Sequence, residues 1–440
     1  MQRRDPLGRS GVTPLRTQQD PDGRAPAKAP TGPAPSPSAA ARRVAATGAV
    51  PRPAPGLRGS LGVLKVRDFK FLLIGNAMTF AGFQVRQMAQ AWLVLEQTDS
   101  SLKVGIVNAM PGIAIICLSV FAGAVADRSE RRAIIVWSRF GITALLFVSA
   151  ALVATGLIEW WHLIPIGLGV GIMFAFHNPA SQSYAMDIVG RERLISAASI
   201  NTAISNVASV AGPAAGGYLL ALGMEWAFWL LVVLYGTAYL AILPIRQKTV
   251  QARPARSIGA DIKAGLKYVN ATPAMKWLLV LSAGSIFNGI FLAMMPVFAR
   301  SVFEVGEVGY GTMLTVQGAG SLAGSVALTM AGEVRRKGVL ILVTMIVSAA
   351  ALAMFAVSPW FGLSLGALFV TGVAQGVTWI TVPTVIQTNS APEMRGRVMG
   401  IFFMVVLIFQ LGWIAGGALD GAIGPRETTL VAASGLLGLT

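Results

Sequence analysis

The sequence predicts an all-α polytopic membrane protein, and three observations support that prediction. Of its 440 residues, 54% are hydrophobic and 12% are charged, whereas soluble domains carry about 45–50% apolar and about 25% charged residues. Apolar runs of about 20 residues, the length at which a helix crosses a bilayer, recur from Phe69 onward. The two halves of this apolar region resemble each other. The composition excludes a disordered chain, a secreted disulfide scaffold and an ordinary soluble enzyme.

Twelve apolar segments predict twelve transmembrane helices in two groups of six. The predicted spans are 69–96, 104–126, 133–156, 162–186, 194–221, 224–244, 274–299, 308–331, 338–357, 359–388, 397–419 and 427–440. The twelfth is cut off at Thr440, and its 14 residues would rise only about 21 Å at 1.5 Å per residue. We therefore expect this last span to be incomplete.

These spans divide the chain into four segments. The segments are a basic tail at 1–60, a six-helix bundle at 61–244, a linker at 245–273 and a second six-helix bundle at 274–440. The tail is rich in Ala and Pro and is expected to be disordered; the alternative is an arm that binds anionic lipid.

The linker contains an apolar stripe. Ile258, Ile262, Leu266 and Val269 fall at helical spacing, which predicts an amphipathic helix on the inner membrane face.

The charges predict the orientation in the membrane. With the tail inside, the inner loops hold 17 basic residues: Arg128, Arg131, Arg132, Arg191, Arg193, Arg246, Lys248, Arg253, Arg256, Lys263, Lys267, Lys276, Arg335, Arg336, Lys337, Arg395 and Arg397. The outer loops hold three, Lys103, Arg300 and Arg426. This asymmetry predicts an inner-membrane protein with both termini in the cytoplasm. Because the net charge of +16 follows the topology, nucleic acid is not expected as a partner.

An internal repeat relates the two halves. A shift of 204 residues places Gly105 on Gly309, Pro179 on Pro383 and Gly212 on Gly416. Repeated halves around a central site are typical of secondary transporters.

The loop after the second span contains the most specific motif. Residues 123–132 read Gly-Ala-Val-Ala-Asp-Arg-Ser-Glu-Arg-Arg, which resembles the G-x-x-x-D-R-x-x-R-R signature of the major facilitator superfamily. Residues 178–180, 191–194, 212–217 and 395–400 further resemble the exporter branch to which the enterobactin exporters belong. The resemblance implies the major-facilitator fold and a gating role for this loop. The gating residues are Gly123, Asp127, Arg128, Arg131 and Arg132; the alternative is a simple topology determinant.

The fifth span ends in a second motif. Gly212, Pro213, Gly216 and Gly217 resemble the end of a helix-five signature of proton-coupled antiporters. The alternative is that these small residues only let helices approach closely.

Arg86 is interpreted as the one unambiguous charge deep within a span, so it is expected to face a wet cavity and bind substrate; a structural ion pair or a contact that caps carbonyl groups is the alternative. His177, before Asn178-Pro179, and Glu96 are the proton-carrier candidates; for His177 the alternative is an interior histidine that hydrogen-bonds between helices. The residues predicted to line a substrate cavity are Arg86, Gln90, Gln84, His177, Asn178, Asn288, Gln317, Gln375 and Thr381.

No motif of an enzyme is present. The sequence lacks P-loop, H-E-x-x-H, C-x-x-C and G-x-S-x-G motifs, so neither catalysis nor a cofactor or metal is expected. The predicted function is proton-coupled export of an amphiphilic drug or siderophore-like metabolite by a monomer. The alternatives are a uniporter or lysolipid-type transporter of the same fold, and a non-transporting membrane sensor or scaffold.

Overall fold

The described residues of the first half form six long helices. The computed structural model describes residues 62–190, 193–246, 258–332, 334–391 and 393–440, so the predicted tail and much of the predicted linker lie outside the described residues. The six helices are α1 (Arg67–Thr98), α2 (Ser101–Arg128), α3 (Arg131–Ala154), α4 (Leu163–Val189), α5 (Leu194–Leu222) and α6 (Met224–Ile242). Short 3-10 turns at Gly62–Lys65 and Trp160–His162 precede α1 and α4.

One further helix follows in the region predicted as a linker. This helix, α7, spans Ile258–Ala271. Its Val269 side chain is buried in a cluster with Met275 and Leu278, whereas Leu266 is exposed. The side chains of Ile258 and Ile262 lie outside the described ones.

The described residues of the second half form eight α-helices. They are α8 (Pro273–Ala283), α9 (Ser285–Val297), α10 (Gly306–Ala331), α11 (Lys337–Val357), α12 (Phe361–Asn389), α13 (Arg395–Val406), α14 (Phe409–Ile423) and α15 (Pro425–Gly438). Two of the predicted spans are each divided between two helices, α8 with α9 and α13 with α14. A π-helical turn, Phe298–Val302, follows α9.

Eight helical segments of the described chain are long and apolar enough to cross a membrane. They are Ser101–Ser119, Arg131–Ala154, Trp160–Val189, Met224–Ile242, Pro273–Val302, Lys337–Val357, Phe361–Asn389 and Arg395–Ile423. The helices α1, α5 and α10 are also long, but Gly, Ser, Thr and amide side chains make them more polar. They pack against several other helices, and small or polar residues suit such protein-facing surfaces.

The internal repeat predicted from the sequence is present in the packing. In the first half, α1 packs on α5 and α6, α3 packs on α4 and α6, and α2 packs on α4. In the second half, α9 packs on α14 and α15, α11 packs on α12 and α15, and α10 packs on α12. The most extensive contacts between the halves are two crossings, α5 with α10 and α2 with α14.

Glycines allow close backbone contact at both crossings. A Cβ atom on Gly217 would lie 2.8 Å from the Cα atom of Gly311 where α5 meets α10. Where α2 meets α14, Gly105 lies against the carbonyl oxygen of Trp413, and Gly417 lies against that of Ser101. Backbone contact of this kind is typical of small residues in membrane helices.

The molecule has two distinct ends. We call the end that carries Arg131 and Asp187 the basic end, and the end that carries Asp99 and Arg300 the far end. At the far end, Asp99 ends α1 in the left-handed conformation, with φ +47°.

Candidate functional site

A cavity lies between the two halves of the protein. Its volume is about 720 Å³, which falls within the range of about 300–1,000 Å³ that is usual for small-molecule sites. Residues of α1 and α5 in the first half, and of α8 to α15 in the second half, form its wall. The cavity therefore touches both units that the internal repeat defines.

The wall of the cavity is apolar and aromatic with uncharged polar groups. Its aromatic members are Phe80, Phe83, Trp379, Phe402 and Phe409. Its amide and hydroxyl members are Gln84, Gln87, Asn201, Thr202, Ser205, Asn206, Ser209, Ser282, Ser285, Asn288, Gln317, Ser321, Ser325, Thr344, Ser348, Gln375, Thr378 and Gln410. No ionisable side chain lines the cavity among the residues that the structure describes.

The cavity extends toward the basic end. Ile341 and Thr344 belong to the first two turns of α11, and Ser325 belongs to the last two turns of α10. All three residues line the cavity. The C-terminus of α10 and the N-terminus of α11 meet at the basic end, so the cavity reaches toward that end.

Polar contacts order part of this wall. The Gln317 amide donates to Gln375 Oε1 at 3.4 Å, which joins two residues that the sequence predicted for the site. The hydroxyls of Thr344 and Thr378 lie 2.9 Å apart.

Two other wall amides have unused acceptors. Asn288 Oδ1 and Gln410 Oε1 are buried without a hydrogen-bond partner among the described residues. Asn288 lies on α9 and Gln410 on α14. Because a buried acceptor without a partner is costly, these amides favour a ligand with hydrogen-bond donors.

The predicted site residues divide into two groups. Gln84, Asn288, Gln317 and Gln375 line the cavity. The remaining predicted residues lie outside its wall: Arg86, Gln90, His177 and Thr381 are buried, and Asn178 is exposed.

Arg86 lies directly behind the cavity wall. The side chain is 2% exposed, and its Nη1 donates to Gln90 Oε1 at 2.7 Å. The guanidinium lies 5.4 Å from the ring centroid of Phe83, and Tyr235 of α6 is another neighbour. Phe83 therefore separates this charge from the cavity.

A second buried guanidinium corrects the view that Arg86 is the single charge within the spans. Arg139 of α3 is 0% exposed. It donates to the Ala238 carbonyl oxygen at 2.8 Å and to Asn76 Oδ1 at 2.9 Å. Asn76 in turn donates to Asn201 Oδ1 at 3.1 Å, and Asn201 lines the cavity.

Arg139 lies within the predicted span 133–156 but is absent from the residues predicted for the site. Gly75 leaves the space that this side chain occupies, because a Cβ atom there would overlap the guanidinium of Arg139. This contact depends on the tertiary packing, so no sequence pattern reveals it.

The two proton-carrier candidates lie in different environments. His177 is 4% exposed, and its ring packs edge-on against Phe174 at 6.1 Å. Its Nδ1 has no hydrogen-bond partner among the described residues. Glu96 is exposed near the far-end terminus of α1.

The gating-loop residues with described side chains make contacts within the first half. Arg131 donates to both carboxylate oxygens of Asp187, at 2.9 and 2.7 Å, and joins α3 to α4. Arg132 donates to the carbonyl oxygens of Ile245 and Leu243 at 2.6 and 3.0 Å, after the end of α6. The structure does not describe the side chains of Asp127 and Arg128. At Gly123, no atom lies within 4 Å of the place where a Cβ atom would be.

The helix-five motif packs α5 between two partners. A Cβ atom on Gly212 would lie 3.2 Å from the Ala81 carbonyl oxygen of α1. Gly216 also faces α1, whereas Gly217 faces α10. The Pro213 carbonyl oxygen lies near Gly311 as well, so this motif sits at a contact between the halves.

The halves are also joined at the far end. Arg300 pairs with Asp99 at 2.8 Å and donates to the carbonyl oxygen of Leu95. Trp92 stacks on Tyr310 with ring centroids 5.9 Å apart. By contrast, the hydrogen bond found between the halves near the basic end, among the described residues, joins Asn206 to Ser325 at 3.0 Å.

Two related helical halves around a central cavity define a membrane transport protein. A family model described as transmembrane secretion effector matches residues 58–438. The chain belongs to this family of the major facilitator superfamily.

Curated relatives agree with this assignment. The enterobactin exporter EntS of Shigella flexneri is 24% identical over 388 residues, which cover 85% of this chain and 90% of the relative. EntS of Salmonella typhimurium is 24% identical over 385 residues, with the same coverage.

Solved structures share the fold. A variant of the nucleoside transporter NupG superposes with a TM-score of 0.67 at 16% identity, covering 84% of this chain and 98% of NupG. A bacterial homologue of the human lysosomal transporter Spinster, inward-facing and occupied, superposes with a TM-score of 0.66 at 16% identity, covering 84% and 94%. The all-α major-facilitator fold predicted from the sequence is confirmed, and the chain is a multi-pass secondary transporter of small molecules, not an enzyme.

Proposed function

We propose that this chain exports a small amphiphilic molecule, of the drug or siderophore-like type, by alternating access of the central cavity. The observation that carries the proposal is the cavity wall itself, which combines aromatic rings with amides and hydroxyls and has no ionisable group among the described residues. Such a wall favours a ligand with apolar surface and a few hydrogen-bonding groups. The similarity to enterobactin exporters supports the direction of transport.

The proposal assigns separate roles to the residues around the cavity. Gln84, Asn288, Gln317 and Gln375 contact the substrate. Arg86, with Gln90, supports Phe83 from behind and meets the substrate only when that ring moves. The burial of Arg86 and its position over the Phe83 ring support this arrangement.

Inward flow of protons supplies the energy in this proposal. His177 is the preferred carrier because it is buried with a free ring nitrogen among the described residues, and it contacts Phe174, which contacts Phe83 of the wall. Glu96, exposed at the far end, is the second candidate. Histidine side chains serve as proton shuttles in many proteins.

The same proposal includes placement in the membrane. The excess of basic residues at the basic end supports an orientation with that end, and both termini, in the cytoplasm. The proposed transporter is a monomer of the inner membrane. A cavity that extends toward the basic end would then load substrate from the cytoplasm.

Efflux of ethidium from preloaded cells tests the function. Cells that produce the protein are expected to lose the dye faster than cells that do not, and a protonophore is expected to abolish the difference. A Ser205→Trp variant, which obstructs the cavity, should remove the effect. The matched control is Val207→Trp on the same helix, whose native side chain is 56% exposed, and it should retain efflux.

Two results would contradict this proposal. One is equal efflux with and without the protein for ethidium and for a panel of amphiphiles. The other is full activity of Ser205→Trp in a protein that inserts normally.

A further inference from the structure

At the basic end of the molecule, the second half contains a basic pocket that is distinct from the central cavity. Its volume is about 540 Å³, and Arg335, Arg336 and Lys337 line it together with Thr388 and Asn389 of α12. The three basic residues lie at the start of α11, where the helix N-terminus adds a further positive potential.

The internal repeat shows what this pocket lacks. The shift of 204 residues places Arg131 on Arg335 and Asp187 on Ala391. In the first half, Arg131 and Asp187 form a two-oxygen ion pair in which both side chains are about one-eighth exposed, at 13% and 12%. In the second half the carboxylate is replaced by the methyl group of Ala391, so the equivalent basic residue loses its partner.

The pocket therefore presents uncompensated positive charge. Among the described residues, none of Arg335, Arg336 and Lys337 forms an ion pair. Residues 332–338 contain three basic residues and the single carboxylate of Glu333, which gives a net charge of +2. Glu333 lies outside the described residues, and even when it is counted the loop retains excess positive charge.

An apolar strip runs from the pocket along the outside of α11. Val339, Val343, Ile346 and Val347 follow one another at helical spacing and are 54%, 48%, 45% and 40% exposed. On α10, Met330 is 82% exposed beside the same loop. In a bilayer these side chains contact acyl chains, so the pocket lies where a lipid headgroup meets the protein.

We propose that this pocket binds the phosphate of an anionic phospholipid headgroup, which replaces the carboxylate that Asp187 supplies in the first half. Arginine forms paired hydrogen bonds to phosphate as it does to carboxylate. The adjoining apolar strip selects a lipid over a free phosphate ion. Basic pockets between membrane helices recognise anionic headgroups by the same charge complementarity.

Thermal unfolding of the detergent-solubilised full chain tests this proposal. Phosphatidylglycerol should raise the unfolding midpoint in a saturable way, and phosphatidylcholine with the same acyl chains should not. The Arg335→Gln variant should require about fivefold more phosphatidylglycerol to reach half of the maximal rise in its unfolding midpoint. This factor corresponds to about 1 kcal/mol for the loss of one basic residue. Lys267→Gln is the matched control, because Lys267 is exposed on α7 and lies outside the pocket.

A second variant tests the replacement directly. Ala391→Asp restores the carboxylate of the first half, so it should raise the unfolding midpoint without lipid and lose most of the response to phosphatidylglycerol. Because this variant is judged against its own lipid-free midpoint, a change in basal stability does not obscure the result.

Three outcomes would overturn the proposal. Equal stabilisation by phosphatidylcholine would show that the anionic headgroup is not recognised. An unchanged response of Arg335→Gln would place the lipid elsewhere. Equal stabilisation by inorganic phosphate at the same concentration would identify a free-anion site instead of a lipid site.

Discussion

Gly217 of α5 and Gly311 of α10 lie backbone to backbone, so that a Cβ atom on either would stand 2.8 or 2.7 Å from the Cα atom of the other. One glycine belongs to each half of the transporter, and the contact lies on the far-end side of the cavity. A rocking motion of the two halves must change this contact. The pair therefore marks a surface along which the halves move against each other.

Replacement of Gly217 by Leu is expected to abolish transport while the protein still inserts into the membrane. The larger side chain would separate the halves, and overpacking of this kind costs about 1–3 kcal/mol. Transport in proteoliposomes and the unfolding midpoint in detergent measure the two effects. Gly366→Leu is the control, because no atom lies within 4 Å of a Cβ atom there. Normal transport by Gly217→Leu would contradict a close contact at this position.

Gly75→Ala is expected to disturb the buried Arg139 network without removing its charge. The added methyl group would overlap the guanidinium of Arg139, which could move only by giving up its hydrogen bonds to Ala238 and Asn76. We expect a loss of about 1–3 kcal/mol, the cost of leaving a buried polar group without a partner. Chemical or thermal unfolding measures this loss.

The control for that experiment is Gly400→Ala, where no atom lies near the added group. If both variants unfold at the midpoint of the wild type, the guanidinium is not held by these contacts.

Arg86→Ala is expected to lower kcat/KM by about tenfold or more, or to narrow the range of substrates, with normal insertion. The reason is loss of a charge-assisted hydrogen bond, worth about 1.5–3 kcal/mol, and of the support behind Phe83. Arg86→Lys keeps the charge but loses the planar fork, so an intermediate effect is expected. Transport assays across several amphiphiles measure these effects, and unchanged kinetics for all of them would refute a role for Arg86 in the site.

Arg300→Ala is expected to weaken closure of the far end more than Asp99→Asn does. The Asp99 side chain is 80% exposed, and exposed ion pairs contribute only about 0–1 kcal/mol. Arg300 also donates to the carbonyl oxygen of Leu95, a contact that remains in the aspartate variant. The comparison is made by labelling a cysteine introduced near the far end in a Cys117→Ser background, and a larger effect of Asp99→Asn would show that the ion pair dominates.

Helix positions were predictable because membrane spans depend on length and hydropathy. Predicted spans such as 104–126 and 338–357 fall on α2 and α11. The divided spans were not predictable in this way, since a break between α13 and α14 at Leu407 and Ile408 leaves the apolar run uninterrupted.

The site was predictable only in part. Gln317 and Gln375 were identified because amides are costly in lipid and therefore face the interior, and the structure joins them. The same reasoning placed Arg86 and His177 in the cavity, but hydropathy gives depth and not the face of a helix. The pairing of Arg131 with Asp187, 56 residues apart, depends on the tertiary packing of α3 on α4.

The most direct test of the central claim is the sidedness of thiol labelling at the cavity wall. The single cysteine, Cys117, is exposed, so Ser321→Cys is introduced in a Cys117→Ser background and treated with a membrane-impermeant maleimide from either face. A cavity that opens at the basic end and is closed by Arg300 and Gly217 at the far end predicts labelling from the basic end and protection by a transported substrate. Labelling from the far end alone, or none from either face, would contradict the account.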